Sequence, residues 1–413
     1  MLDLSEVFFE GLIMIVKRDL GAFLKKVSGL FPAVIVTGPR QSGKTTFLKY
    51  TFPEAEYVTF DDPVMQDFAK NDPNGFISKF SSRQIILDEI QYVPELFSYL
   101  KMDIDQNREV CGKWLLTGSQ QFNMMKEISD SLAGRIAILS LFPFSQNELS
   151  SAGKNLEIDK ILWEGSYPEV VLKPEIREIW LASYIRTYIE RDVRQLINVA
   201  DLSLFQTFIG LVAANHSQEL NVAGISRDCG AAQPTIKRWI SILEASFITY
   251  LLRPFHVNIG KRLVKTPKLY FIDSAIPAYL TKQGSSESLF NGAMGGAFFE
   301  GFIVVETLKI IKNSSANAEL YFWRSNDGME IDLIIEFAGK YHAVEIKKTQ
   351  TPTAKHAESI EKFITLFKEK TGDSFVVCNI PQTKPLTANV SAVPWQEYFK
   401  RIEKILGFNQ EII

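Results

Sequence analysis

Gly38-Pro39-Arg40-Gln41-Ser42-Gly43-Lys44-Thr45 stands between Ala33-Val-Ile-Val-Thr37, a short run rich in β-branched residues, and the helix-compatible Thr46-Phe-Leu-Lys49. The order is strand, glycine-rich loop, helix, and every fixed position of the phosphate-loop pattern is filled. Gly38 and Gly43 let the backbone curl so that its N–H groups face phosphates. Lys44 is expected to reach the β- and γ-phosphates and Thr45 to hold Mg²⁺, with Pro39, Arg40, Gln41, Ser42 and Thr46 completing the cradle. ATP and Mg²⁺ are the ligands this stretch implies.

The second half of such a site reads from Gln84-Ile-Ile-Leu-Asp-Glu89, an apolar run typical of a buried parallel strand. Asp88 is the expected ligand of the Mg²⁺ water shell, and Glu89 the candidate general base for the attacking water. A third strand, Lys113-Trp-Leu-Leu-Thr117, ends in Gly118-Ser119-Gln120. Ser119 is the preferred contact to the γ-phosphate or lytic water, ahead of Thr117, with a helix cap at Ser119 as the alternative. Arg135, ahead of the apolar run Ile136 to Leu141, reads either as a group that neutralises transition-state charge or as a surface or salt-bridge arginine. Tyr57-Val-Thr-Phe-Asp-Asp62 adds a strand whose acids can approach the site. Residues 30–142 thus hold about five strand candidates separated by helical stretches, which predicts a parallel α/β sheet with ligands at the strand C-termini.

At 413 residues the chain is too long for one ordinary core, so two to four domains are expected. Its 45 basic and 48 acidic side chains nearly cancel, at −3, so bulk charge does not mark a nucleic-acid binder, though a local basic surface stays open. Cys111, Cys229 and Cys378 are scattered without metal-ligand spacing and read as reduced thiols. Val7 to Val16, interrupted by Glu10, is too short to span a bilayer and reads as a packed helix. Translation from Met14 rather than Met1 is an alternative start. These features point to a cytoplasmic protein without a membrane segment.

Residues 155–200 look helical, with Trp180, Tyr184, Ile185, Tyr188 and Ile189 on one broad face as core. Glu190, Arg191 and Asp192 read as an ion network or a nucleotide sensor. Asn221 to Gly230 is a short helix and turn, and Pro234 to Glu244 a second helix with Ile236, Ile240 and Leu243 inward and Lys237 and Arg238 outward. Phe247 to Leu252 and Lys268 to Ile272 follow as strands bridging a basic hairpin with Lys261, Arg262, Lys265 and Lys268. That is winged-helix order. DNA contact through residues 221–244 and 261–268 is one reading, and a protein partner the other.

In the last third, Gly301 to Lys309 reads as a helix with Glu306 in its middle. Glu319 to Arg324, Glu330 to Glu336 and Tyr341 to Lys348 read as strands. Asp332 and Glu345 then fall on adjacent strands, with Lys347 on the same face as Glu345. Asp332 and Glu345, joined by Glu306, are candidate metal ligands, and Lys347 a candidate to activate water or stabilise phosphorane charge. Charges interrupting apolar strands need a partner or an ion.

The ordered set Gly38 to Thr45, Ile86-Leu-Asp-Glu-Ile-Gln91, Leu116-Thr-Gly-Ser119, Leu132-Ala-Gly-Arg135, Tyr188-Ile-Glu-Arg-Asp192, Pro267-Lys-Leu-Tyr-Phe-Ile-Asp273 and Glu330-Ile-Asp-Leu333 resembles prokaryotic AAA-superfamily ATPases joined to a C-terminal domain of uncharacterised function. The resemblance runs from about residue 14 to the end. It implies an AAA-like core at 14–150, a helical lid at 151–200, a winged helix at 201–284 and a restriction-endonuclease-like α/β domain at 285–413. The nuclease signature would be Asp332 with Glu345-Ile-Lys347, and Ile331 stands where proline often precedes the strand acid. The resemblance also favours Arg135 as an arginine finger, in cis or across a homo-oligomer. Two functions are compatible with it: an ATP-driven DNA-processing enzyme, or a nucleotide-gated switch that binds a protein or DNA without cutting.

Overall fold

A computed structural model describes residues 7–10, 13–80, 83–118, 131–193, 202–256, 266–314, 316–325 and 327–407; for residues up to 14 and for 190–193 this extends to the backbone only. The chain forms two compact units. The first comprises Met1–Lys154 with Tyr167–Glu169 and Ala245–Phe247, and the second comprises Asn155–Ser166, Val170–Glu244 and Ile248–Ile413.

In the first unit, β1 (Ala33–Thr37), β2 (Glu56–Thr59), β3 (Ile85–Asp88), β4 (Trp114–Gly118) and β5 (Ile136–Ser140) form a five-stranded sheet. All pairings are parallel, in the order β2-β3-β4-β1-β5. The strand order reverses beside β1, and such a switch point leaves a crevice at the strand C-termini. Because helices cover both faces, β1, β3 and β4 are buried along their whole length and read as unbroken apolar runs. One face packs Phe60, Phe76, Phe80 and Trp114 together, while the other meets Leu20, Leu24 and Val27 of helix α1 (Leu20–Ser28) and Phe47 and Leu48 of helix α2 (Lys44–Thr51).

The N-terminal apolar stretch is not the expected helix. Val7–Glu10 and Ile13–Val16 pair as an antiparallel hairpin. Both segments are rich in Val, Ile and Phe, whose χ1 stiffness favours strands, and a run this short carries no helical period to oppose that preference.

The second unit is organised by a nine-stranded sheet. Its strands are β6 (Gln218–Glu219), β7 (Thr249–Pro254), β8 (Lys268–Phe271), β9 (Glu319–Arg324), β10 (Glu330–Phe337), β11 (Lys340–Lys347), β12 (Phe375–Cys378), β13 (Lys384–Pro385) and β14 (Ser391–Pro394). They lie in the order β13-β14-β12-β11-β10-β9-β7-β8-β6. Helices α3 (Leu202–Ala214), α4 (Val222–Cys229) and α5 (Gln233–Ala245) precede β7. In α5 Ile236, Ile240 and Leu243 are buried while Lys237 and Arg238 are exposed. The pairing of β7 with β9, Arg253 opposite Tyr321 and Pro254 opposite Phe322, carries the sheet from the middle of the chain into its last third. Asn155–Ser166, Val170–Glu244 and Ile248–Ile413 thus share one unit and, in part, one sheet. Helix α6 (Gly295–Asn313) is buried nearly all round, which explains its lack of a polar face. The aromatic stripe is core as expected: Trp180, Tyr184, Ile185, Tyr188 and Ile189 are all buried. Among the described residues, no helix is long and apolar enough to cross a membrane.

Candidate active sites

The phosphate loop joins β1 to α2 and is held from below by a residue the sequence reading missed. Arg18 is buried and donates from Nε to Glu148 Oε1 at 3.0 Å, from one terminal nitrogen to the Ser42 carbonyl at 2.9 Å, and from the other to the Phe142 carbonyl at 2.5 Å. Glu148 in turn closes a capping box with Ser145. The Ser145-x-x-Glu148 spacing was the one visible signal of this anchor. Gly38 has φ 145°, and a Cβ there would lie 2.1 Å from the Leu141 carbonyl oxygen, so only glycine lets β1 turn into the loop. Gly43 has φ 89° and begins α2, whose free N–H groups point into the loop as an anion site.

A cavity of about 330 Å³ opens there, lined by Arg40, Gln41, Gly43, Lys44, Thr45, Thr46, Asp61, Glu89 and Tyr92. Asp61 and Tyr92 reach it from β2 and from the turn after β3. Lys44 is buried and donates to the Gly38 and Pro39 carbonyls at 3.2 and 2.9 Å. Burial pulls its ammonium down to about 8, against the opposing charges of Glu89 and Asp88. Thr45 Oγ1 donates to both oxygens of Asp88, at 2.9 and 3.0 Å. Tyr57 donates to Asp88 Oδ2 at 2.9 Å, and burial together with that carboxylate raises its phenol to about 12.

Thr117, placed second to Ser119 in the sequence reading, is buried against both acids. Its hydroxyl donates to Asp88 and accepts the Glu89 backbone N–H at 3.0 Å. Ser119 lies outside the described residues. Glu89 takes a left-handed backbone with φ 57°, and its carboxylate accepts from Gln91. Arg135 is engaged: its Nε and one terminal nitrogen bind the two oxygens of Asp105 at 2.8 and 2.9 Å. That bidentate pair draws the Asp105 carboxyl down to about 2. In this structure Arg135 is thus a surface salt bridge, the other alternative the sequence left open.

In the second unit, Leu333 pairs with Val344 across β10 and β11, so Asp332 and Glu345 are the next positions along the ladder. Asp332 Oδ2 accepts the Ile346 N–H at 2.8 Å and Lys347 Nζ at 3.2 Å. Lys347 also meets Glu345 Oε1 at 2.7 Å. Burial and the like charges of Asp332 and Glu300 push the Glu345 carboxyl up to about 8, with Lys347 opposing. Glu345 Oε2 is buried and, among the described residues, has no hydrogen-bond partner.

Glu306 does not join this group. It pairs with Lys309 at 2.7 Å, and Lys309 donates to Ser166, which is bound by Asp273. The helix carboxylate that does join is Glu300, six residues earlier. At 100° per residue the two lie on different faces of α6. Lys268 is the second correction. It was expected on a basic wing, yet it is buried, with Nζ 3.0 Å from Glu300, 2.5 Å from Glu330 and 3.7 Å from Asp332. Burial alone would lower the Lys268 pKa, but the surrounding carboxylates outweigh it and the ammonium is raised. Tyr270 donates to Glu300 Oε1 at 2.7 Å. The other wing lysines and arginine, Lys261, Arg262 and Lys265, lie outside the described residues, as do the side chains of Glu190, Arg191 and Asp192. Among the described residues no three Asp, Glu, His or Cys side chains converge as metal ligands do.

Over 344 residues, 83% of this chain and 76% of the relative, the sequence is 30% identical to uncharacterized protein Rv2008c of Mycobacterium tuberculosis. The chain belongs to the Rv2008c family. The Mycobacterium bovis member, uncharacterized protein Mb2031c, matches with the same identity and coverage. Family models divide this Rv2008c relative into an AAA domain at residues 30–150 and two domains of unknown function, DUF8612 at 155–287 and DUF4143 at 295–398. Its N-terminal part is an AAA-type P-loop domain, carrying the loop and the Asp88-Glu89 strand described above. Among solved structures, the Walker-type ATPase PABY2304 of Pyrococcus abyssi is 13% identical, covering 64% of this chain and 96% of that one at TM-score 0.41. AMPPCP-bound DnaA from Aquifex aeolicus is 14% identical, covering 55% and 85% at TM-score 0.31. Both are remote likenesses.

Proposed function

We propose that the chain binds Mg-ATP at the phosphate loop, hydrolyses it slowly, and uses that cycle to gate a DNA-directed phosphodiesterase activity of the second unit. The observation that carries the ATP half is the contact of Thr45 with Asp88 at the edge of the open phosphate-loop cavity. Thr45 directly, and Asp88 through water, are the residues that would hold Mg²⁺, and the metal would supply charge neutralisation at the β- and γ-phosphates. Lys44 exchanges its two carbonyl partners for phosphate oxygens. Glu89 takes the proton of the attacking water once its carboxylate leaves Gln91. Thr117 holds the Glu89 backbone in the orientation this requires.

The DNA half rests on Asp332, Glu345 and Lys347 meeting on adjacent strands, the pattern of a restriction-endonuclease-like site. Asp332 and Glu345 fit one hard cation: two carboxylates suffice for Mg²⁺, which keeps several waters, and Glu345 Oε2 is a buried acceptor still without a partner among the described residues. The metal there would polarise a phosphodiester and its attacking water. Helices α4 and α5 followed by the β7–β8 pair are read as a winged helix, with Lys237 and Arg238 of α5 exposed toward a DNA groove. Lys268 favours a second reading, a nucleotide-gated binding switch, because it already closes part of the acidic group.

The test is cleavage of labelled linear, branched and single-stranded DNA with Mg²⁺ or Mn²⁺, with and without ATP, comparing wild type with Lys347→Ala. Cleavage that is lost in Lys347→Ala is the expected result. No cleavage of any substrate, with ATP turnover intact, moves the second unit to the switch.

A further inference from the structure

Asp88, at the end of β3, takes more hydroxyl contacts than a place in a Mg²⁺ water shell requires. Thr117 from β4 donates to Oδ1, Tyr57 from β2 donates to Oδ2 at 2.9 Å, and Thr45 from α2 reaches both oxygens at 2.9 and 3.0 Å. A carboxylate offers about four lone-pair directions. Thr117 and Tyr57 take one on each oxygen, from the strands on either side of β3. The two that remain are those Thr45 spans. Tyr57 reaches Asp88 by register: it pairs with Ile86, and Thr59 pairs with Asp88. The phenol therefore crosses to its diagonal neighbour, a step of about 8 Å across and along the sheet that a tyrosine spans. Its ring is partly buried against the core that includes Phe47 and Leu48 of α2, and Lys49 Nζ lies 3.3 Å from the ring centre. Thr45 and Lys49 are four residues apart and so share one face of α2. That face meets Asp88 directly and also clamps the ring that holds it.

We propose that Tyr57 is a positioning residue of the nucleotide site, fixing the Asp88 carboxylate for the water shell of the nucleotide's magnesium ion. This rests on the Mg-ATP reading above and names the group that organises its acid. Among the described residues Thr45 lines the phosphate-loop cavity, while Asp88 and Tyr57 lie behind it. The contacts run from Tyr57 to Asp88 to Thr45, so Tyr57 acts through the carboxylate and not on the nucleotide. Its ring is held by packing and by Lys49, so the hydroxyl arrives already oriented, as an outer partner of a metal-binding group must. Without that hydroxyl, Oδ2 keeps only the Thr45 contact, and the carboxylate is free to rotate about its Cβ–Cγ bond. The penalty falls on the state in which nucleotide and Mg²⁺ are both bound, because only that state uses the direction of the Asp88 oxygens. Nucleotide held by the N–H groups of the loop and by Lys44 alone does not.

The experiment measures equilibrium binding of a fluorescent, non-hydrolysable ATP analogue to the full chain, in EDTA and in excess Mg²⁺. It compares wild type, Tyr57→Phe, Asp88→Asn and the double variant, and the ratio of the two affinities is the gain from magnesium. Phenylalanine keeps the ring and its packing, so the substitution removes the hydroxyl and little else. The expected result is that Tyr57→Phe keeps the wild-type affinity in EDTA and loses about tenfold of the magnesium gain, the low end for outer partners of metal-binding groups. With Asp88→Asn already in place, Tyr57→Phe should cause no further loss, because its effect runs through the carboxylate. A role in packing alone would lower both affinities together or leave both unchanged, and either result overturns the inference while the Mg-ATP reading stands. An equal further loss on top of Asp88→Asn overturns it as well. Wild type that binds no analogue, or gains nothing from Mg²⁺, removes the Mg-ATP reading and the inference with it.

Discussion

Lys44 in the first unit and Lys268 in the second are both buried ammonium groups among acids, yet their protons are held in opposite ways. Burial takes Lys44 down to about 8, because its direct partners are two backbone carbonyls and the charges of Glu89 and Asp88 only partly offset the loss of water. Lys268 is raised, because three carboxylates lie against it. The first lysine is kept short of counter-charge beside an open cavity, and an incoming phosphate supplies it. The second already has its anions. The two lysines are thus told apart by how their charge is satisfied.

The sharpest test of the first half is Glu89→Gln. Nucleotide affinity should persist while turnover falls by about 10²–10⁴, the usual worth of a positioned general base. Single-turnover ATP hydrolysis beside equilibrium nucleotide binding reads the two separately. An unchanged rate would remove Glu89 from the chemistry and leave its left-handed backbone without a functional reason.

Next in size are two lysine removals that should act in opposite directions on stability. Lys268→Met takes a shared cation from the buried Asp332 and the half-buried Glu300 and Glu330, and should cost about 3–5 kcal/mol. Lys44→Met removes a desolvated ammonium whose pKa is lowered from 10.5 to about 8, so it should stabilise the nucleotide-free protein near pH 7, by on the order of 1–3 kcal/mol. Urea unfolding of each variant, followed by tryptophan emission, supplies both values. Equal destabilisation by the two would erase the contrast between the sites.

The contrast also explains what the sequence made legible. A phosphate loop binds through consecutive backbone N–H groups, so Gly38 to Thr45 carries its geometry within eight adjacent positions, and Asp88 follows at the end of an apolar run that reads as a buried strand once the loop is in place. The five-stranded parallel sheet was readable for the same reason. In the second unit Asp332, Glu345 and Lys347 were readable because strand alternation fixes their faces. Glu300 and Lys268 were not. Glu300 competes with Glu306 inside a helix apolar on every side, which has no polar stripe to tell the two faces apart. Lys268 sits among other basic residues, and only the pairing of β7 with β9 explains how its strand joins the sheet that carries Asp332. Likewise the Arg135–Asp105 pair joins residues that no local pattern connects.

Thr117→Val should have a smaller effect, confined to the first unit. The methyl keeps the shape, but the Glu89 N–H loses its acceptor and Asp88 a donor. A buried N–H left unsatisfied costs about 1–3 kcal/mol. Turnover should drop by roughly tenfold as the Glu89 backbone relaxes from its strained conformation, with about 1 kcal/mol of its positioning lost. Wild-type turnover in a destabilised protein would make Thr117 structural alone and return attention to Ser119.

The smallest effect expected is a pH dependence of nucleotide affinity. In the free protein Lys44 loses its proton as pH rises through about 8. Phosphates bound against it favour the charged form, so its pKa in the complex is higher. Below pH 8 the ammonium is charged in both states and affinity is level. Above it, binding must take up a proton, and affinity should fall by up to about tenfold per pH unit until the pKa of the complex is reached. Binding of a fluorescent ATP analogue between pH 7 and 9.5 measures the slope, and calorimetry in two buffers of different ionisation enthalpy counts the proton. A flat profile with no proton uptake would mean that Lys44 keeps its charge in the empty loop, in which case its circumstance would be closer to that of Lys268 than the two sets of contacts imply.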